Sequence, residues 1–318
     1  MTEPTFDDVL AARERVYQVI KPTGLIQHPL LTEQAGFELY VKHENHNPTC
    51  SFKVRGGLNL IGSLTEVERA RGVIAASTGN HGQSVAFACR RLGVGCTIVV
   101  PQHNNPDKNG AIRALGALVI EQGRDYDEAR EHCEQLAERG GLRYIHSANE
   151  PLLIAGVGTY ALEIFDELPR ADVVLVPVGG GSGAAALGLV RSALGRQARI
   201  IGVQAERADA FTQSWRTGTR MTATRADTMA EGVATRTTFD LTFDILRREL
   251  DDIVTLSEEE LAEGVRVSLR TTHNLAESAG AAPIMAALKI KDSLRDRTAV
   301  AVMSGGNLDS RLLSRLFC

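Results

Sequence analysis

Residues Val173-Val174-Leu175-Val176-Pro177-Val178-Gly179-Gly180-Gly181-Ser182-Gly183-Ala184-Ala185-Ala186-Leu187-Gly188-Leu189-Val190 form an uncharged run that approaches the length of a membrane span. Its composition decides against one, because Pro177 and the glycines at 179, 180, 181 and 183 would break a spanning helix at its middle. The run reads instead as a strand over 173–178, a glycine loop, and a helix from Ala184 onward. That is one unit of an α/β protein.

The pattern repeats along the chain. Short apolar, β-rich runs at 37–41, 73–76, 96–100, 117–121, 173–178, 200–204 and 299–303 alternate with amphipathic segments. Such alternation predicts open, twisted, mostly parallel sheets flanked by helices. At 318 residues the chain exceeds the usual single domain, and no Pro/Ser-rich linker divides it. A second domain is therefore expected as an insertion: a small α/β domain over 47–147 within a large domain made of 1–46 and 148–318.

Composition narrows the partners. With 35 Lys and Arg against 39 Asp and Glu, the net charge of -4 offers no basic stripe for nucleic acid or an anionic membrane. The five cysteines (Cys50, Cys89, Cys96, Cys133, Cys318) are odd in number and lack metal-ligand spacing. The stretch Met1-Thr2-Glu3-Pro4 carries no secretory signal, so a reduced, cytoplasmic setting is expected. His43-Glu44-Asn45-His46 places its histidines three apart in a loop before Pro48, which argues against zinc.

Chemistry enters with Ser51-Phe52-Lys53-Val54-Arg55-Gly56-Gly57, where a lysine sits in an apolar, glycine-flanked setting that favours loss of its proton. Ser77-Thr78-Gly79-Asn80-His81-Gly82 follows the run 73–76 and precedes a helix over 83–92, so its backbone N–H groups form an anion site. The loop 179–183 repeats that geometry with glycines, which let amides approach a phosphate. Ser304-Gly305-Gly306-Asn307 ends the last strand. Each has a plain reading alone: a tight strand-to-helix turn at 179, Ser304 as cap of a helix starting near Leu308, His81 as a satisfied core histidine. Together, a lysine, a phosphate cradle and a carboxylate cradle describe pyridoxal phosphate holding an amino acid.

The chain resembles the fold-type II pyridoxal-phosphate enzymes over nearly its whole length, specifically the serine/threonine dehydratase and serine racemase branch. The carriers are the segments 47–57, 77–83, 178–183, 230–233, 277–282 and 303–307, which include Ala230-Glu231-Gly232-Val233 and Glu277-Ser278-Ala279-Gly280. The resemblance implies a tryptophan synthase β-like fold with the cofactor between the domains, and a homodimer. It also implies that Lys53 forms the Schiff base, Phe52 packs on the cofactor ring and Asn80 bonds the ring hydroxyl. Gly179, Gly180, Gly181, Ser182 and Gly183 would hold the phosphate, with Gly232 and Glu277 beside the cofactor and Ser304 facing the pyridine nitrogen. Ser77, Thr78, Gly79, Asn80 and His81 would meet the substrate carboxylate. The implied reaction removes water from a β-hydroxy amino acid, with Lys53 taking the Cα proton, and yields a 2-keto acid and ammonia.

Departures from the family pattern are few. Cys50 replaces a usual glycine and reads as a small buried hydrophobe. Thr78 stands where racemases of the branch carry the reprotonating serine, so racemisation stays an alternative, as does β-replacement. Some relatives bind Mg²⁺ or Ca²⁺ after the strand at 200–204; Glu206 matches their first carboxylate, but Thr212 replaces the next, and one oxygen is a poor cage. A dinucleotide-dependent oxidoreductase would need G-x-G-x-x-G, and the third glycine here is delayed to Gly188. Only eleven residues follow Asn307, so the C-terminal effector domain of biosynthetic threonine dehydratases is not expected, which points to a catabolic role.

Overall fold

The computed structural model describes residues 2–317. In chain order its strands are β1 (Leu25–Gln27), β2 (Glu38–His43), β3 (Val73–Ala76), β4 (Cys96–Val100), β5 (Leu118–Glu121), β6 (Arg143–Tyr144), β7 (Val173–Pro177), β8 (Arg199–Ala205), β9 (Asp252–Leu256) and β10 (Thr298–Met303). Six form a sheet in the order β1-β2-β10-β7-β8-β9, parallel except for the antiparallel β1–β2 pair. The other four form a parallel sheet, β5-β4-β3-β6.

Both sheets are covered on two faces, and the side-chain period of two sorts the core accordingly. Val174, Val176, Val300 and Val302 pack into one cluster, while Val173, Leu175, Ala299 and Ala301 pack into another. In the small sheet Val73 and Ala75 face one cluster and Ile74 and Ala76 the other. The seven apolar runs of the sequence all fall on strands, whereas β1, β6 and β9 were not expected. Each of these three is a sheet edge, where a strand needs no continuous apolar run and carries polar residues such as Gln27, Arg143 and Asp252. Among the described residues no helix is long and apolar enough to cross a membrane.

The helix Lys53–Gly62 is wedged between the helices Asn80–Leu92 and Pro151–Glu167. Glycines permit the approach: a Cβ on Gly57 would overlap Ser84, and one on Gly56 would lie 2.9 Å from the Leu153 carbonyl oxygen. From the opposite helix, a Cβ on Gly156 would lie 2.6 Å from the Arg55 carbonyl oxygen.

The helix is also pinned by charge. Arg55, fully buried, donates from Nε and Nη2 to Glu44 (2.7 and 2.8 Å) and from Nη1 and Nη2 to Glu163 (2.6 and 2.9 Å). Lys42 Nζ joins Glu163 at 2.6 Å, Tyr17 donates to Glu163 at 2.7 Å, and Thr23 donates to Glu44 at 2.6 Å. Burial alone would raise the Glu44 carboxyl, but the Arg55 guanidinium holds it below the usual range.

Two outcomes follow for stability. Arg55→Met leaves Glu44 without an ion-pair partner among the described residues and Glu163 with Lys42 as its one cation, and is expected to cost about 3–5 kcal/mol, read as a lower urea midpoint, with Arg55→Lys intermediate because it lacks the planar fork. Gly156→Ala gains about 1 kcal/mol of helix propensity but overpacks against Arg55 at about 1–3 kcal/mol. A net fall in Tm is expected, and a rise would contradict the close packing.

Candidate active site

The sequence motifs converge through backbone hydrogen bonds. Ser51 bridges Gly305, Phe52 N–H donates to the Ser304 carbonyl at 3.1 Å, and Gly306 N–H donates to the Cys50 carbonyl at 2.8 Å. The lysine segment is thereby fixed to the end of β10. On its other side the Lys53 carbonyl accepts the Ser84 hydroxyl at 2.5 Å. These contacts enclose a cavity of about 620 Å³ lined by Lys53, Thr78, Asn80, the loop 179–183, Glu277 and Ser304, among others.

Lys53 Nζ donates to Ser182 Oγ at 2.9 Å and stands 5.1 Å from the centre of the Phe52 ring. No carboxylate pairs with it among the described residues, and burial lowers its pKa to about 8. An amine poised there is a nucleophile and a base near neutral pH.

The loop after β7 supplies an anion cradle. Gly181 has φ +86°, and the helix Ser182–Ala193 starts immediately behind it. Among the described residues, no N–H of 179–183 donates to a protein acceptor. Side chains are excluded by contact: a Cβ on Gly179 would overlap the Gly232 carbonyl oxygen, and one on Gly183 would lie 3.3 Å from Phe52 Cζ. Gly232 is close-packed in turn, since its Cβ would stand 2.8 Å from Ala279 Cβ.

The turn after β3 divides its labour differently from expectation. Ser77 Oγ accepts the N–H groups of Gly79 (3.0 Å) and Gly82 (2.8 Å), so this side chain shapes the turn, and the Gly79 amide is already committed. The Thr78, Asn80 and His81 amides have no acceptor among the described residues. His81 is buried, and burial pushes its pKa down to about 3 against a weaker opposing contact with the Ile145 backbone. Asn80 heads the helix Asn80–Leu92, donates to Glu277 Oε1 at 2.6 Å and accepts from Asn307 Nδ2 at 2.8 Å. Burial raises the Glu277 carboxyl.

Ser304 is buried at the end of β10, and its hydroxyl makes no hydrogen bond among the described residues. The last helix begins only at Ser310, too far on for Ser304 to cap it. Cys50 is exposed with φ +50°, which overturns its reading as a buried hydrophobe: the position demands a left-handed backbone, where a glycine is the natural occupant. Glu206 has a half-exposed side chain 4.0 Å from Lys289 Nζ, and Thr212 is buried against Gln204 Oε1 at 2.8 Å. Among the described residues no group of three His, Cys, Asp or Glu could hold a metal ion.

Sequence reasoning passed over Lys108 and His146. Lys108 lines the cavity and pairs with Glu231 at 2.5 Å. His146 accepts two backbone N–H groups at Nδ1, from Ala148 (3.0 Å) and Asn149 (2.9 Å), and burial lowers its pKa to about 4. Only the helix-start pattern Asn105-Pro106-Asp107 marks the Lys108 region in sequence.

The amides without acceptors among the described residues, the glycine-lined cradle and the low-pKa amine fit a phosphate-bearing aldehyde, and comparison with known proteins agrees. The chain is 38% identical to L-threonine ammonia-lyase of Thermotoga maritima over 312 residues, 98% of this chain and 78% of the relative. The fold superposes on the crystal structure of threonine deaminase from T.th. with a TM-score of 0.91 at 36% identity, covering 96% of this chain and 99% of that one. Maize serine racemase superposes with a TM-score of 0.93 at 25% identity, covering 99% and 97%. A family profile described as pyridoxal-phosphate dependent enzyme matches residues 16–305, and the chain belongs to that family.

Proposed function

We propose that this protein is a threonine/serine-type dehydratase, an ammonia-lyase that removes water from a β-hydroxy amino acid and releases a 2-keto acid and ammonia. The observation that carries the reading is the Lys53 amine, free of any carboxylate partner among the described residues, with a pKa near 8, enclosed between two amide cradles. The likeness to threonine ammonia-lyase and threonine deaminase supports it.

The loop 179–183 would hold the phosphate through backbone N–H groups, Phe52 would lie along the ring, and Ser304 would meet the pyridine nitrogen. When bound, pyridoxal phosphate supplies an electron sink for the pair left at Cα. The amides of Thr78, Asn80 and His81 hold the substrate carboxylate and so orient Cα. Lys53 Nζ takes the Cα proton and, as the ammonium, delivers it to the β-hydroxyl, which departs as water. Hydrolysis of the resulting enamine gives the keto acid and ammonia. A neutral serine at the ring nitrogen favours its protonation less than a carboxylate would, which suits prompt loss of the leaving group.

Domain boundaries at 47 and 147 belong to the same reading, because the small sheet's strands all lie between Val73 and Tyr144 and the cavity takes walls from both sheets. A reduced, cytoplasmic setting agrees with the unpaired Cys50, Cys89, Cys96 and Cys133; homodimeric assembly rests on the family resemblance. A second reading, racemisation, is weakened by the change from serine to Thr78 but keeps a hydroxyl to work with, since the half-buried Thr78 side chain lines the same cavity with no hydrogen-bond partner among the described residues.

Purified protein supplied with pyridoxal phosphate is expected to release 2-keto acid and ammonia from one member of a panel of L- and D-β-hydroxy amino acids. Lys53→Ala should lower that rate by at least about a hundred- to ten-thousandfold; release at the wild-type rate would sink the assignment. The lowered Lys53 pKa adds a pH signature. The amine is protonated below about 8 and neutral above it, so the rate of cofactor capture by cofactor-free protein should climb with pH and level off above that value. A climb continuing toward the ordinary lysine range would contradict the buried setting.

A further inference from the structure

We propose that Lys108 binds the carboxylate of the amino-acid substrate, an assignment that rests on reading the cavity as an amino-acid site. Lys108 is in the first turn of the helix Pro106–Ala114, whose start is fixed by Asn105 Oδ1 accepting the N–H groups of Asp107 (2.8 Å) and Lys108 (3.3 Å). Its side chain lies over the turn 77–81: a Cβ on Gly79 would stand 2.7 Å from Lys108 Cδ and 3.5 Å from Nζ. Glycine at 79 leaves room for that stem, and the ammonium is carried to the turn whose Thr78, Asn80 and His81 amides have no acceptor among the described residues.

The ammonium is nearly buried, with 8% of its side chain exposed, yet among the described residues it makes one hydrogen bond, to Glu231 Oε2 at 2.5 Å. Glu277 Oε2, at 3.9 Å, is beyond hydrogen-bond reach. Two of its three N–H donors therefore lack an acceptor among the described residues, and the side chain lines the cavity. A buried cation with unmet donors beside free amides is built for an anionic oxygen.

The other cations are committed or remote. Lys53 donates to Ser182. Arg124, Arg225, Arg236 and Arg311 each face an acid and are 34–86% exposed. Glu231 is 42% exposed, so yielding Lys108 to an incoming carboxylate costs it little. The exchange leaves the charge balance at Lys108 unchanged, while Glu277 stays bonded to Asn80.

The test uses holoenzyme and follows its visible absorbance as it binds L-alanine, which has no leaving group, or L-alanine amide. Lys108→Gln is expected to raise the Kd for L-alanine by about ten- to a hundredfold while changing that for the amide by less than about threefold, and Lys108→Arg should recover part of the loss. Glu231→Gln, which removes the competing carboxylate, should tighten L-alanine relative to the amide. Acid and amide shifting together in both variants, or neither shifting, overturns the proposal alone. A wild type that binds neither ligand overturns the reading of the cavity and the proposal with it.

Discussion

The site depends on one buried ion cluster. Arg55, two residues beyond Lys53 on the same helix, is held by Glu44 from the end of β2 and by Glu163 from the helix Pro151–Glu167, and Lys42 balances the second acid. Two cations and two carboxylates cancel, and the fork of the guanidinium fixes direction as well as distance. A buried ion set of this kind is weak evidence for stability, since apolar residues often serve as well. Here it holds a helix in register against two others, with glycines at 56, 57 and 156 setting the spacing. The amine of Lys53 is thereby presented at a fixed place between the end of β10 and the loop after β7.

Two lysines in this cavity show how environment divides roles. Lys53 meets a hydroxyl and burial, and its pKa falls. Lys108 is also buried, but Glu277 and Glu231 outweigh burial and its pKa rises. One residue type thus yields an amine that can give up its proton and an ammonium that stays charged. His81 and His146 are pushed toward neutrality by burial, so neither adds charge beside the amine near neutral pH.

Much of this was legible in the sequence because the site is built from backbone. Glycine loops and strand-to-helix turns are local signals, so the segments 77–82, 179–183 and 304–307 could be read without partners, as could the buried strands with their Val and Ala runs. The edges β1, β6 and β9 were not legible, because a half-paired strand carries little apolar pattern. Lys108 was missed for a different reason: in the polar stretch Asn104-Asn105-Pro106-Asp107-Lys108-Asn109 it looks solvated, and its partners lie 123 residues away at Glu231 and farther at Glu277. Cys50 read as apolar and buried, whereas its backbone angle is what sets the position apart.

Whether the cofactor is joined to Lys53 is decided by mapping the covalent link. Protein incubated with pyridoxal phosphate, reduced with borohydride and digested should yield one pyridoxylated peptide, the one containing Lys53. A label on another lysine, or none on the Lys53 peptide while the cofactor is bound, would contradict the account.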